Sequence, residues 1–294
     1  MIHYTRLRAY QLGTEGASFS ISVLGHFTLV EARINDKNYP GIKWELDNLG
    51  KKSIDVLHIT SWDQDHCDYD ELLWILKNLT PSIVECPSYA PHTDNGKKCL
   101  LLIQVFDEKA LIKMVRISAG TIRTMIKSPL KGQDLYYNPL NYSSICANDN
   151  SYVKLFRVGS FQVLSLGDCE SSEISKALAS DEILQNEVDI MILAHHGSSE
   201  DFTTTEFLKA INPQIAISCS DFDNKYGHPT PVIRQRLSNQ NIKLLTTKEG
   251  DVIAQTVNKY YYKVSNYISN NEKKDSVVTL KNKTWYINDH EPGE

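Results

Sequence analysis

Apolar residues along the chain follow two periodicities, one typical of β-strands and one of α-helices. Short apolar or alternating runs within residues 5–31, broken by Gly13, Gly16 and Gly25, predict β-hairpins. The segment WELDNLG predicts a helix, SIDVLHIT a buried strand, DELLWILKNL a helix that stops before Pro81, and SIVECP a strand. Strands and helices therefore alternate, which indicates the α/β class.

The same alternation continues in the second half of the chain. The segment YVKLFRVGSFQVLSLGD predicts two strands joined at Gly159, followed by a helix over about 170–185. Strands VDIMILA, QIAISCS and KLLTT then alternate with helices over 204–210 and 231–237. Residues 88–147 have no single periodicity: LLLIQVFDEKALIKMVRI fits a strand, a helix or both, and KSPLKGQDLYYNPLNYSS predicts a loop.

The size of the chain favours one large domain with additions. Its 294 residues, of which 41% are hydrophobic, can bury a sizeable core. We predict a domain over 1–262 that contains an insertion at 88–147, and a C-terminal extension over 263–294, a stretch rich in Asn and Lys. The formal charge of -5 gives no general basic signature, so contact with nucleic acid would need a local patch or bound cations.

The sequence also indicates in which cellular compartment the protein works. No apolar stretch approaches the roughly 18 residues of a membrane span, and the start MIHYTRLRAYQLG lacks the apolar centre of a secretion signal. The six cysteines are scattered without a CxxC pair, which argues against a disulfide framework and against a thiolate zinc site. We therefore expect a cytoplasmic protein.

Polar side chains with metal-binding chemistry follow several of the predicted strands. They are Asp63, Asp65, His66, Asp168, His195, His196 and His228. Each motif taken alone is more often a solvated loop or a turn, but all of them in this order behind apolar strands predict a metal site. Asp63 and Asp65 point the same way and would repel each other unless a cation or a proton lay between them.

The chemistry predicted for such a site is hydrolysis by a metal-activated water. Its ligands are rich in carboxylates, so we expect one or two divalent ions per chain, with Mn or Zn first and Mg or Fe as alternatives.

In this order the motifs resemble those of the metallo-β-lactamase-fold hydrolases, and within them the C-terminal hydrolase domain of the competence DNA-uptake proteins ComEC. The resemblance covers residues 5–260 and is carried by LGTEGASFSI, LGKKSIDVLHITSWDQDH, NDNSYVKLFRVGSFQVLSLGDCE, VDIMILAHHGSSEDFTTTEFLKAINPQIAISCSDFDNKYGHPTP and LLTTKEGDV. The last of these segments is similar to the family's closing hairpin. The resemblance implies an αββα sandwich, a metal site at one edge of its two sheets, and hydrolysis of phosphodiester bonds. The predicted substrate is DNA, RNA or a nucleotide.

Residue by residue, the resemblance implies a set of metal ligands and of catalytic groups. The metal ligands are Asp63, Asp65, His66, Asp168 and His228, and Asp65 would also orient the attacking water. One of His195 and His196 would bind metal or a phosphate oxygen and the other would protonate the leaving group, and the sequence leaves open which does which.

Other positions are candidates for substrate contact. Asn148 and Ser151 lie where other branches of the fold carry a further histidine, and Ser198 follows the double histidine. In RTMIKSPLKG, Lys127 and Lys131 could form a phosphate-binding patch, although a solvated loop explains them equally well.

The chain departs from the family at Ser61, which stands where the motif begins with histidine. The first metal position should therefore be weak, whereas the second keeps its ligands. Two alternatives remain open: a catalytically impaired binding or regulatory module within a multi-protein system, and a hydrolase of a small acyl or lactone substrate. The sequence does not indicate protein partners.

Overall fold

The computed structural model describes residues 5–143, 145–198, 200–268 and 277–286. Its strands are β1 (Thr5–Ala9), β2 (Phe19–Val23), β3 (His26–Val30), β4 (Val56–His58), β5 (Ile83–Cys86), β6 (Lys113–Arg116), β7 (Leu135–Asn138), β8 (Val153–Phe156), β9 (Val163–Ser165), β10 (Ile190–Ile192), β11 (Ile215–Ser218), β12 (Lys243–Thr246), β13 (Val252–Asn258), β14 (Tyr261–Asn266) and β15 (Val278–Lys281). Its helices are α1 (Tyr39–Asn48), α2 (Tyr69–Asn78), α3 (Asp94–Glu108), α4 (Ala119–Lys127), α5 (Ser172–Ala179), α6 (Glu182–Glu187), α7 (Thr205–Ile211) and α8 (Pro231–Asn239).

The strands form two sheets. Nine strands are ordered β15-β14-β13-β1-β2-β3-β4-β5-β6, and six are ordered β12-β11-β10-β9-β8-β7. Strands β3 to β6 run parallel to one another, as do β9 to β12, so each sheet has one edge at which the carboxyl ends of several strands meet.

Three hydrophobic cores show how the layers stack. One core joins α1, α2 and α3 to the nine-stranded sheet, a second joins α5, α7 and α8 to the six-stranded sheet, and a third lies between the two sheets. Strand β10 shows the alternation that this requires, because Ile190 and Ile192 face the other sheet while Met191 faces the helices. The predicted αββα sandwich is confirmed.

The structure differs from the predicted elements in three places. The helix predicted over 170–185 is two helices, because the chain turns at Ser180 and the side chain of Asp181 caps the start of α6. The loop predicted in KSPLKGQDLYYNPLNYSS contains the buried strand β7, which its turn-forming neighbours conceal in the sequence. The segment LLTTKEGDV is not a hairpin, because β12 and β13 belong to different sheets.

The insertion and the extension both add strands to the sheets. Residues 88–147 supply α3, β6, α4 and β7, which extend one edge of each sheet. The predicted boundary at residue 262 falls within β14, which pairs with β15. Residues 269–276 and 287–294 of the predicted extension lie outside the described residues.

Within the described residues no helix combines the length and apolarity of a membrane span. All six cysteines are free thiols.

Candidate metal centre

The candidate site lies where strands of both sheets end. The loop after β4 comes from the nine-stranded sheet, and the loops after β9, β10 and β11 come from the six-stranded sheet. The chain makes a tight turn after β4, in which the backbone nitrogens of His66 and Cys67 donate hydrogen bonds to the carbonyl oxygen of Asp63. This turn carries Asp65 and His66 into the site. Asp68 ends this turn as the N-cap of α2, with its carboxylate accepting from the backbone of Asp70 and Glu71.

Four side chains from three of these loops converge. Suitable ligand atoms of Asp65, His66, Asp168 and His196 all lie within 4.8 Å of one another. His66 Nε2 is 2.8 Å from Asp168 Oδ2 and 3.9 Å from Asp65 Oδ2, and His196 Nε2 is 3.1 Å from Asp65 Oδ2. The cluster is buried except for Asp65, whose side chain is about one third exposed.

Contacts outside the cluster fix both imidazoles. His66 Nδ1 lies 3.1 Å from the buried carboxylate of Glu31, and His196 Nδ1 lies 2.8 Å from the carbonyl oxygen of Cys219. A carbonyl or carboxylate oxygen can only accept, so each Nδ1 carries a hydrogen and each Nε2 faces the cluster. Histidines that ligate metals are held in this way, with the second nitrogen donating to a carboxylate or a backbone carbonyl.

The donor set fits a divalent cation. His66 Nε2 is buried and makes no hydrogen bond of regular geometry, although a carboxylate oxygen lies only 2.8 Å away. Two imidazole nitrogens and two carboxylates suit Zn²⁺ or Mn²⁺. These four residues are therefore a candidate divalent-metal site.

The charges of the cluster reinforce one another. Burial alone would lower the pKa of His66, but the carboxylates of Asp168, Glu31 and Asp65 outweigh it and hold that pKa well above its usual value. Burial would likewise raise the pKa of Asp65, which the nearby His66 and His196 instead lower. Asp65 and Asp168 are thus anionic at neutral pH and ready to attract a cation.

The double histidine lies in an unusual backbone conformation. His195 has φ 46° and His196 has φ 56°, in the left-handed region that costs residues other than glycine roughly 1 to 2 kcal/mol each. Hydrogen bonds pin both ends of the turn, from His195 N to the carbonyl of Gly167 at 2.9 Å and from Ser218 Oγ to the carbonyl of His196 at 2.6 Å. Strain that the surroundings maintain in this way is typical of functional sites.

Position 167, directly before Asp168, requires a glycine for its backbone conformation and for lack of space for a side chain. Its φ of +54° is left-handed, and a Cβ on this residue would lie 2.7 Å from Cβ of Ser151. The loop that carries Asp168 therefore packs directly against Ser151, which is fully buried.

Asp63 lies outside the four-residue cluster. Its Oδ2 accepts a hydrogen bond of 2.9 Å from Ser61 Oγ, which lies 3.3 Å from the hydroxyl of Tyr89. Tyr89 also accepts from the backbone of Trp62, and Ser61 is completely buried. The side chains of Ser61 and Tyr89 thus fill the space in which the motif's first histidine would lie.

His195 and His228 form the outer part of the same site. Their ring centroids are 6.1 Å apart, and neither residue belongs to the four-residue cluster. His195 Nδ1 is 2.6 Å from Glu170 Oε1 without regular hydrogen-bond geometry. Glu170 Oε1 accepts a hydrogen bond of 3.2 Å from Asn148 Nδ2. Burial and the neighbouring His196 and His195 lower the pKa of His228 to about 4, so it is neutral at physiological pH and able to act as a ligand.

A cleft of about 540 Å³ opens over these groups. It is lined by Asp65, His195, His196, Ser198 and His228 together with residues of the 219–226 loop and of Glu15–Gly16. Lys127 and Lys131 are exposed at and beyond the end of α4, and neither they nor Asn148 and Ser151 line this cleft.

Four residues that contact the site were not singled out from the sequence: Glu31, Tyr89, Glu170 and Tyr226. Glu31 ends the apolar run of β3, which is the same signal that drew attention to Asp168. Glu170 comes two residues after Asp168, and Tyr226 comes two residues before His228 in the segment YGHP that carries the resemblance, so the motifs marked both positions. Tyr89 follows no pattern of spacing, because only the folded chain brings it to the site.

The fold is shared with a known protein structure. The crystal structure of the metallo-beta-lactamase fold protein YhfI from Bacillus subtilis matches with a TM-score of 0.52, covering 85% of this chain and all of that one at 10% sequence identity. The chain therefore has the metallo-β-lactamase fold. A scan against models of protein families gives no match.

Sequence comparison gives the more particular relationship. The chain is 25% identical to ComE operon protein 3 of Bacillus subtilis over 208 residues, which are 69% of this chain and 25% of that protein. It is 38% identical to Competence protein ComA of Neisseria gonorrhoeae over 58 residues, 20% of this chain and 8% of that protein. The chain thus spans about a quarter of the length of the first relative, and the predicted likeness to ComEC is confirmed.

Proposed function

We propose that the chain is a metal-dependent hydrolase of phosphodiester bonds, acting as a nuclease on DNA, RNA or a nucleotide. The observation that carries this proposal is the convergence of Asp65, His66, Asp168 and His196, whose two imidazoles are both oriented from outside the cluster. The likeness to the hydrolase domain of DNA-uptake proteins favours a phosphodiester over a carbonyl substrate.

We further propose that these four residues hold a single cation. A bound divalent ion would neutralise charge on a phosphoryl oxygen and lower the pKa of water. His228 lies beside this group in the same cleft and is the candidate for a fifth ligand. Asp63 is instead engaged by Ser61, and the buried hydroxyl groups of Ser61 and Tyr89 fill the first position. One ion per chain is therefore expected, and the ligands favour Zn²⁺ or Mn²⁺.

Individual side chains would orient the water, protonate the leaving oxygen and bind the cation. Asp65, the most exposed carboxylate of the cluster, would orient the attacking water. His195 lines the cleft and has its Nδ1 2.6 Å from Glu170 Oε1, so it is the candidate to protonate the leaving oxygen. His196, whose Nδ1 donates to a backbone carbonyl, is assigned to the cation.

Purified protein tested with Mn²⁺, Mg²⁺ and Zn²⁺ on single- and double-stranded DNA, RNA and cyclic nucleotides examines this proposal. We expect metal-stimulated cleavage of at least one substrate, and loss of that cleavage in Asp168→Asn. Tyr260→Ala, an exposed position in the turn between β13 and β14, is the matched control and should keep full activity. Absence of cleavage from every substrate with every metal would contradict the proposal and favour a binding module.

A further inference from the structure

An exposed aromatic side chain stands at the outer rim of the cleft. Tyr226 is 60% exposed, although it lines the same cleft as Asp65 and His196. Ligand clefts are lined by aromatic side chains beside a few polar groups, and an exposed ring in such a lining can contact a ligand. Tyr226 therefore offers an aromatic surface that is separate from the cation cluster.

A row of aromatic rings connects Tyr226 to the cluster. The ring of Tyr226 stacks on His228 at a centroid distance of 5.5 Å and an interplanar angle of 20°. His228 is 6.1 Å from His195, His195 is 6.1 Å from His196, and His196 is 5.5 Å from His66. A planar group stacked on Tyr226 would therefore lie in the same cleft as Asp65 and His196 of the cluster.

The loop that carries Tyr226 is held in place before any ligand arrives. The side-chain amide of Asn224 donates to the carbonyl oxygens of Asp221 and His228 and accepts from the backbone nitrogen of His228 at 2.6 Å. The turn is completed at Gly227, whose backbone has a φ of +69°. Preorganisation of this kind lowers the entropic cost of binding.

A basic side chain accompanies the ring. Lys225 Nζ lies 4.8 Å from the centroid of the Tyr226 ring and 3.2 Å from Glu15 Oε1, with its side chain 65% exposed. An aromatic ring next to an exposed cation is a combination by which proteins bind single-stranded nucleic acid, because bases stack on the ring and phosphates contact the charge.

We propose that Tyr226 is a stacking platform for a base of the substrate, so the site selects single-stranded nucleic acid or a nucleotide over duplex. A base inside a duplex can stack on a side chain only after it has left its own stack, which the duplex resists. This inference rests on the proposed function for the position of the reacting phosphate. The stacking contact itself requires no catalysis.

Binding can be measured apart from cleavage. The probe is a single strand of about six nucleotides with phosphorothioate linkages and one 2-aminopurine, whose fluorescence falls when the base stacks. A strand of the same length built from abasic units, carrying a fluorophore at its end, measures the contribution of the backbone. Wild-type protein with its bound metal is compared with Tyr226→Ala and Tyr226→Phe, and with Tyr260→Ala as the control, since Tyr260 is 59% exposed in a distant turn.

We expect Tyr226→Ala to weaken binding of the base-bearing strand by about tenfold or more and to remove the quenching. Binding of the abasic strand and the metal content should stay as in wild type, and Tyr226→Phe should retain both affinity and quenching. Equal weakening for the two strands would overturn the inference, because the ring would then only support His228. Unchanged binding in Tyr226→Ala would overturn it as well.

These outcomes separate the two proposals. Base-dependent binding without any metal-stimulated cleavage would contradict the hydrolase and leave the platform intact. Cleavage that Tyr226→Ala and Tyr260→Ala retain equally, with unchanged binding, would contradict the platform and leave the hydrolase intact.

Discussion

At the scale of single residues, contacts with neighbouring groups fix the orientation of the side chains in the candidate site. His66 is the clearest case, because its Nδ1 lies 3.1 Å from Glu31 while its Nε2 faces the carboxylates. Glu31 also accepts hydrogen bonds from the backbone and hydroxyl of Thr60, which hold the carboxylate in turn. The orientation of His66 is thus set before a cation arrives.

The substitution Glu31→Gln tests this arrangement. The amide keeps the size of the side chain but loses the negative charge next to His66 and offers only one acceptor oxygen for three donors. We expect divalent-metal affinity to fall by about 10- to 100-fold, as measured by calorimetric titration. Glu206→Gln, an exposed position on α7, removes the same charge and should leave affinity unchanged. Equal affinities in the two variants would show that Glu31 does not orient His66.

The proposed number of cations per chain depends on Ser61. We expect metal analysis of the wild type to give about one divalent ion per chain, since Ser61 and Tyr89 occupy the first position. Ser61→His should not raise this number and should lower the free energy of unfolding by about 1 to 3 kcal/mol, because an imidazole is too large for this fully buried site. Ser61→Ala, which adds no volume, should keep one ion. Two ions in the wild type, or a second ion gained in Ser61→His, would contradict a closed first position.

At the scale of elements, the site is built from the loops that follow short buried strands. Strands β4, β9 and β10 have only three residues each, yet each is fully buried and ends in a loop with a polar function. Burial on both faces fixes the strands, so the loops that follow them start from defined positions. The capped start of α2 at Asp68 then limits how far the first loop can move.

Asp189 joins several of these elements and makes stability depend on pH. It precedes β10, is completely buried, and accepts hydrogen bonds from the backbone of Gln162 and Lys283 and from the side chain of Gln214. Burial raises its pKa to about 7 despite these donors, whereas in the unfolded chain the pKa is near 3.8.

The sign of the effect follows from proton binding. Between these two pKa values the folded state binds more protons at Asp189 than the unfolded state, so the free energy of unfolding falls as pH rises from about 4 to about 7. The contribution is at most about 4 kcal/mol. Denaturant titrations at several pH values should show a flatter profile for Asp189→Asn than for the wild type, while exposed Asp36→Asn should follow the wild type. Parallel profiles for Asp189→Asn and the wild type would contradict this prediction.

At the scale of the whole molecule, the cluster bridges the sandwich. Asp65 and His66 come from the nine-stranded sheet, whereas Asp168 and His196 come from the six-stranded sheet. A bound cation would therefore link two halves that are otherwise held by the apolar core between the sheets. Binding that exists only in the folded state stabilises that state.

Cation binding should therefore raise the melting temperature of the protein. At a free concentration 100 times the dissociation constant, the gain is about 2.7 kcal/mol, and a chelator should remove it. In Asp65→Asn, a ligand substitution at a partly exposed position, the shift should be much smaller. Thermal unfolding with and without Mn²⁺ or Zn²⁺ measures this, and equal shifts in wild type and Asp65→Asn would place the stabilising ion elsewhere.

The sequence by itself determined the class of fold and most of the candidate ligands. Strand and helix periodicities follow from which faces must be buried, and polar groups directly after apolar strands predicted Asp65, His66, Asp168 and the double histidine. Local signals of this kind depend on neighbours within a few residues, so they can be read along the chain.

Only the tertiary structure decided which of these groups meet. It brought Glu31 to His66 and the carbonyl of Cys219 to His196, and it set Tyr89 beside Ser61. It also left Asp63 outside the cluster and carried Tyr226 to the rim of the cleft. The contacts made by Glu31, Cys219 and Tyr89 join residues that are far apart in sequence. The packing of the folded chain, which no local pattern encodes, fixes the distances between them.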